Sequence, residues 1–386
     1  MPLISPLAAP PPPPIPPGPP LSERARLLAL HLAEAAAGHD AADAFVAESY
    51  PLLREAGLIE AGVPAELGGG GASLPALCDM LRMLGAACGS TALALAMHTH
   101  QVAVPAWRWR HQEASRALVE PLLRRVAGER IVLVSPGGSD WIGGSGTAER
   151  VEGGWRIAAR KAFASGAPAG TLLMTSAVAG DEVLHFAVPM DAPEVRVIDT
   201  WRALGMRGTG SQDVAIEGLV IPDARVAARR PAGEWNPMFQ VLATIAFPLI
   251  YAVYLGVAES ARDLAVGLAK RRPPSARTRA VAGRLDTALA AARMAHRAMV
   301  EAAERNAPGP DSVNDVMIGR RLVEENALAA CGLALDLAGG AGFFREAGIE
   351  RRFPDVQAAR FHPLRQDAQA EYAGAMALGE PVDRIW

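Results

Sequence analysis

The stretch Trp201–Pro222, WRALGMRGTGSQDVAIEGLVIP, sets Gly205, Gly208 and Gly210 around one arginine and two hydroxyls, then alternates apolar and polar residues up to a proline. Alternation closed by a residue that cannot extend a ladder predicts a half-buried β-strand. Glycines just ahead of it mark a place where neighbouring backbones come close.

Working back from Trp201, the same texture extends to Ile131. IVLVSPGG, GTAERVEGGWRIAARKAFASGA, GTLLMTSAVAG, EVLHFAVPM and VRVIDTW are short runs rich in Val, Ile and Thr, separated by glycine pairs and by Asp or Pro turns. VEGG between two such runs is a hairpin signal. Turns recurring about every ten residues, with no helical pattern between them, predict an antiparallel sheet or barrel rather than alternating β and α units.

On either side the texture is helical. SERARLLALHLAEAAAGHDAADAFVAESYPLLREAGL repeats alanine and leucine at helical intervals from Ser22 towards Gly57, and two apolar helices follow, split near Gly89. After Trp235 come four longer segments, the count of an up-and-down bundle. The chain therefore reads as α+β and multidomain: a proline-rich arm at 1–20, an N-terminal α-helical domain at 21–130, a middle antiparallel β-barrel at 131–230 and a C-terminal four-helix bundle at 231–386.

Composition excludes several functions. With 386 residues, half of them apolar, and a net charge of −3, the chain can bury more than one core and offers no basic field to a nucleic acid. Its three cysteines, Cys78, Cys88 and Cys331, lack metal-site spacing and read as buried free thiols of a reducing, cytoplasmic setting. The N-terminus has no basic residue ahead of an apolar core, so no secretory leader is expected, and the apolar runs are broken within a bilayer's width, so no membrane span is expected. Phosphate-loop, dinucleotide-fingerprint and serine-hydrolase motifs are absent. His98 and His100, two apart on a helix, cannot share a metal, and no metal site is expected.

The order helical, β, helical carries five glycine-rich stretches in sequence: LLREAGLIEAGVPAELGGGGASLP, LVSPGGSD, GGWRIAARKAFASGA, LGMRGTGSQDV and LAGGAGFFREAGIERRFPDV. Together they resemble the acyl-CoA dehydrogenase superfamily from about Leu21 to the end. The resemblance implies FAD, with FMN an alternative, held beside the β domain. Val134, Ser135 and Ser139 would run along the isoalloxazine edge, and Phe163, Ala164 and Ser165 would lie against the ring, while Arg207 and Thr209 brace that wall. Gly339 and Gly340 would serve a neighbouring subunit's cofactor, so a homodimer or homotetramer is expected.

The departures are informative. Dehydrogenases of this type take the α-proton of a thioester with a glutamate; the two positions where the resemblance expects it hold Pro363 and Ala246. Asp336 replaces a glutamine expected near the FAD diphosphate, with Arg271 or Arg272 available to compensate. The ending RRFPDVQAARFHPLRQDAQAEYAGAMALG is more similar to the flavin monooxygenase subgroup, in which an N-terminal and a C-terminal histidine serve the oxygen chemistry; His98 and His362 occupy those regions. Glu371 is a solvated helix carboxylate, and Trp107, Trp109 and Arg110 are either an entrance patch or ordinary packing. Three readings follow: oxidation of an acyl-CoA thioester with hydride passing to FAD and on to an electron-transfer flavoprotein, monooxygenation of a small or aromatic substrate by flavin supplied from a reductase, and a catalytically silent acyl-CoA binder.

Overall fold

The computed structural model describes residues 18–138, 142–271 and 273–383. The proline-rich arm up to residue 17, Ser139 and Arg272 fall outside them. The N-terminal domain contains α1 (Leu21–Ala41), α2 (Ser49–Glu55), α3 (Leu74–Ala87), α4 (Gly89–His111) and α5 (Arg116–Glu129). The helical run expected from Ser22 to Gly57 is two helices, because the chain turns at Asp43 in the left-handed region (φ 49°) before α2 begins. Gly57, with φ 64°, ends the second as expected. Ser73 caps α3 by accepting from the Ala76 amide at 3.4 Å, and the extended backbone of Cys88 separates α3 from α4.

The central domain holds β1 (Leu133–Val134), β2 (Thr147–Val151), β3 (Gly154–Ala164), β4 (Leu172–Ala179), β5 (Glu182–Pro189), β6 (Val195–Ile198), β7 (Gln212–Pro222) and β8 (Ala228–Pro231). They form one sheet in the order β6-β7-β3-β2-β4-β5-β8, with β1 beside β4. VEGG makes the expected tight hairpin, Val151 pairing with Gly154 across a turn in which Gly153 has φ 76°. The sheet is mixed rather than wholly antiparallel: β4 lies parallel to both β1 and β2. The reason is parity, since β4 follows the β2–β3 hairpin and so runs with β2 when placed at its side.

A second correction concerns the opening stretch. Residues 201–211 are a loop, and β7 starts only at Gln212. Arg207–Thr209 form a single 3₁₀ turn between left-handed Met206 (φ 53°) and Gly210 (φ 55°). Thr209 Oγ1 donates to the Met206 carbonyl at 2.9 Å, satisfying the backbone locally instead of through a ladder. Arg207 does not brace the sheet; it reaches Asp40 (3.3 Å) and Asp43 (3.5 Å) at the end of α1. The turn is thus the bolt between the β domain and the N-terminal helices.

The C-terminal part comprises α6 (Met238–Ala269), α7 (Ala276–Glu304), α8 (Pro310–Ala338), α9 (Ile349–Gln357) and α10 (Gln366–Leu378). The segment expected as the fourth bundle helix is the short α10, packed on α8, while α3 of the N-terminal domain lies along α6. A Cβ on Gly85 would stand 2.6 Å from the Val253 carbonyl, and one on Gly256 would strike that of Arg82, so two glycines let these helices touch backbone to backbone. By length and composition α6 and Pro310–Phe343 could each cross a membrane; the apolar window of the first is 94% buried inside the fold and that of the second 28%.

Candidate functional site

Where the three parts meet lies a cavity of about 1610 Å³. Its β wall is made by a local break in the ladder. The β3–β7 register shifts between Lys161 and Ala164, and Phe163 takes a left-handed φ of 56°, which turns its ring out of the sheet. The ring is 59% exposed and meets Trp201 edge-on at 6.0 Å. Beside it, Ser165, Ser211 and Thr209 form a hydroxyl chain with spacings of 2.8 and 2.7 Å. Ser135 and the Pro136–Gly138 loop close this side; the Gly137 amide donates to the Ala162 carbonyl at 2.9 Å, and a Cβ on Gly138 would strike the Pro363 ring. A flat apolar face flanked by hydroxyls and bare backbone suits a tricyclic ring with polar edges.

The opposite wall is helical. Leu93, Met97, His100, Val104 and Arg108 of α4 recur at helical spacing and face the cavity together with Gln101. His100 donates from Nδ1 to the Ala96 carbonyl (3.1 Å) and accepts at Nε2 from the Gln101 amide (3.1 Å). From α6 come Ala246, Phe247, Ile250 and Tyr254, and from the C-terminal segment Phe361, His362 and Pro363. Tyr254 Oη and His362 Nε2 are 2.6 Å apart. Burial lowers His100 to about 4 and His362 to about 3, so both rings are neutral near pH 7.

Among the described lining residues the only carboxylate is Asp367, which is exposed, against Arg108, Arg202, Arg225, Arg229 and Arg365. Ala246 and Pro363 both line the cavity, so each position expected to carry the dehydrogenase glutamate reaches the site without an acid.

At the sheet end, Met174, Ser176, His185 and Ala187 share the cavity-facing side of β4 and β5. His185 accepts at Nε2 from Arg230 Nε (3.0 Å), and burial, then the Arg230 charge, lowers it to about 4.

Of the residues named from sequence, the structure brings Ser135, Phe163, Ser165 and His362 together around this space. Val134 and Ala164 are fully buried in the sheet core and do not line it. Gly339 and Gly340 begin an exposed 3₁₀ segment away from the cavity, Asp336 and Arg271 are exposed, and Glu371 is solvated. His98 is corrected to a structural role. Its Nε2 donates to the Ile59 carbonyl (2.8 Å) and its Nδ1 accepts from the Leu133 amide (3.0 Å), stapling the loop after α2 to β1. His100 is the N-terminal histidine at the site. The periodicity of α4 carries that signal, since His100 falls in register with Met97 and Val104 and His98 does not. Trp107 and Trp109 are packing residues, donating to Asn306 (2.9 Å) and Glu120 (3.1 Å). The cysteines are free and buried, and no metal-binding cluster occurs among the described residues.

The chain belongs to the acyl-CoA dehydrogenase family: its N-terminal, middle and C-terminal domain descriptions match residues 22–125, 135–219 and 248–362. It is 31% identical to L-evernosamine nitrososynthase of a Micromonospora species and 32% identical to an amino sugar nitrososynthase of Streptomyces rubradiris, in each case over 89% of this chain and 86% of the relative. Among solved structures it resembles KijD3 in complex with FMN and dTDP-3-amino-2,3,6-trideoxy-4-keto-3-methyl-D-glucose, at TM-score 0.85 and 29% identity, covering 95% of this chain and 94% of that one.

Proposed function

We propose that this protein is a flavin-dependent monooxygenase that oxygenates the nitrogen of an amine-bearing small molecule, taking reduced flavin from a separate reductase. The observation that carries the reading is the cavity's electrostatics: the described lining has neutral histidines, no acid beyond the exposed Asp367, and five arginines, of which Arg202 is paired with Asp199 and Arg229 with Glu182 and Asp223, leaving Arg108, Arg225 and Arg365. Without a carboxylate at Ala246 or Pro363 there is no base for the α-proton of a thioester, so the oxidation of acyl-CoA lacks its central group. The same poverty of acid favours an amine as substrate. An ammonium ion would be desolvated beside positive charge, so an amine enters neutral and keeps the lone pair that attack on oxygen requires.

The residues fit a flavin, FMN or FAD: Phe163 and Trp201 would hold the ring face, and Ser135, Ser165 and Ser211 its polar edges. Reduced flavin, once bound, supplies the two electrons with which dioxygen is divided between product and water. The apolar side chains of Leu93, Met97, Phe247 and Ile250 exclude bulk water, and His362 and Gln101 orient polar groups of the substrate. The nitrososynthase relatives support nitrogen as the acceptor atom.

The test is a turnover assay with a flavin reductase, NADH, FMN or FAD, dioxygen and a panel of amino sugars, free and nucleotide-linked. Oxygen incorporation at nitrogen, detected by mass, supports the reading. Anaerobic bleaching of the oxidised flavoprotein by an acyl-CoA, with no oxygenated amine, overturns it.

A further inference from the structure

His362 stands at the cavity wall with one ring nitrogen, Nε2, 2.6 Å from Tyr254 Oη. Two assignments of the shared proton are possible. If the imidazole donated from Nε2, the tyrosine O–H would have to find another acceptor, and none exists for it among the described residues. Tyr254 is fully buried, so that donor would be stranded without a partner, which burial penalises. If the tyrosine donates, the remaining N–H is Nδ1 of His362, a ring that is half-buried at the cavity and has no protein acceptor for Nδ1 among the described residues. The unpaired donor then sits where a ligand or water can reach it, and that is the cheaper arrangement.

The ring is also held in place. The His362 main-chain carbonyl accepts from Arg320 Nη2 of α8 (2.9 Å), Tyr251 of α6 packs edge-on against the imidazole at 6.1 Å, and Tyr251 Oη fixes the preceding turn by donating to the Ala359 carbonyl (2.6 Å). The charged and titratable groups that face it are Arg320 from α8, Tyr251 and Tyr254 from α6, and His100 from α4. His100 has both nitrogens engaged, so it does not compete for Nδ1.

We propose that Tyr254 is a positioning residue which, by donating to Nε2, locks His362 in the Nδ1–H tautomer and so aims a single imidazole donor into the cavity. The lock stands on the geometry alone; its effect on turnover rests on the monooxygenase reading. Removing the hydroxyl leaves Nε2 without its donor, so the proton can settle on either nitrogen and the donor moves between ring edges.

The experiment uses the full chain with ¹⁵N-labelled histidine near pH 7, the His362 ring being assigned by its loss in His362→Gln. In the unaltered protein its Nδ1 is expected to be protonated and its Nε2 a hydrogen-bonded lone pair. In Tyr254→Phe the Nε2–H form is expected to appear, the ring to take up protons at higher pH, and coupled product formation to fall about tenfold while more reducing equivalents end as hydrogen peroxide. An Nε2–H tautomer in the unaltered protein, or an unchanged tautomer in a folded Tyr254→Phe, overturns the proposal. If Tyr254→Phe does not fold, the tautomer in the unaltered protein decides it. A locked ring in a protein that oxygenates no amine sinks the functional reading and leaves the lock intact.

Discussion

Replacing Asp355 by asparagine probes the seam that closes the cavity. Asp355 in α9 is buried, and its Oδ1 accepts from the Met206 amide at 2.5 Å, fastening the 201–210 loop to the C-terminal helices. Desolvation, only partly offset by the Met206 amide and by Arg351 and Arg352, raises its pKa from 3.8 to about 6. In the unfolded chain it ionises near 3.8, so between that value and about 6 the folded protein holds the extra proton. Stability therefore falls as pH rises through this window, and the penalty is complete above it. Roughly two pKa units correspond to about 3 kcal/mol. The amide of Asp355→Asn keeps the acceptor oxygen and cannot ionise, so the variant is expected to be the more stable protein at about pH 7.5, with the advantage shrinking towards about pH 4.5. Urea denaturation midpoints of both proteins across that range check it; the buried histidines titrate in both and cancel in the difference. A variant that is less stable than the parent at the upper end, with an unchanged pH slope, would show that the ionised carboxylate is a favourable partner of Arg351 and Arg352 and would refute the reasoning.

Four further outcomes are expected. Gly205→Ala drives a Cβ into the Pro354 backbone, which cannot yield, so it should cost about 1–3 kcal/mol and weaken flavin binding measured by fluorescence titration. Phe163→Ala removes the exposed ring and should raise the flavin Kd several-fold with little change in thermal midpoint, because that side chain packs no core. His98→Ala should lower the thermal midpoint by stranding the Ile59 carbonyl and the Leu133 amide, while His100→Ala should leave folding nearly intact and reduce product formation. Glu324→Gln breaks the buried pair with Arg320 (2.9 Å) and should destabilise by about 3 kcal/mol or more in chemical denaturation, loosening the turn that carries His362.

The order of helical, β and helical parts was legible because period and turn chemistry are local: VEGG closes its hairpin, Gly57 ends its helix, and Phe163 and Ser165, singled out by the resemblance, line the cavity. That Ala246 and Pro363 carry no carboxylate was legible too, but that no other segment brings an acid to the described lining except the exposed Asp367 only the fold shows. What sequence spacing could not reveal was pairing between segments far apart in the chain. Tyr254 and His362 are separated by 108 positions and meet only because α6 and the C-terminal turn pack together. The resemblance makes Arg207 a brace of the cofactor wall, yet its charge is satisfied at the end of α1. His98 and His100 have the same chemistry and nearly the same address; the direction of one helical face assigns the first to a staple and the second to the site. Local composition thus determined which elements form, whereas the buried polar pairs that join distant segments, His98 with Ile59 and Leu133 and Tyr254 with His362, were decided by tertiary packing, because burial favours a partner that only the fold can bring.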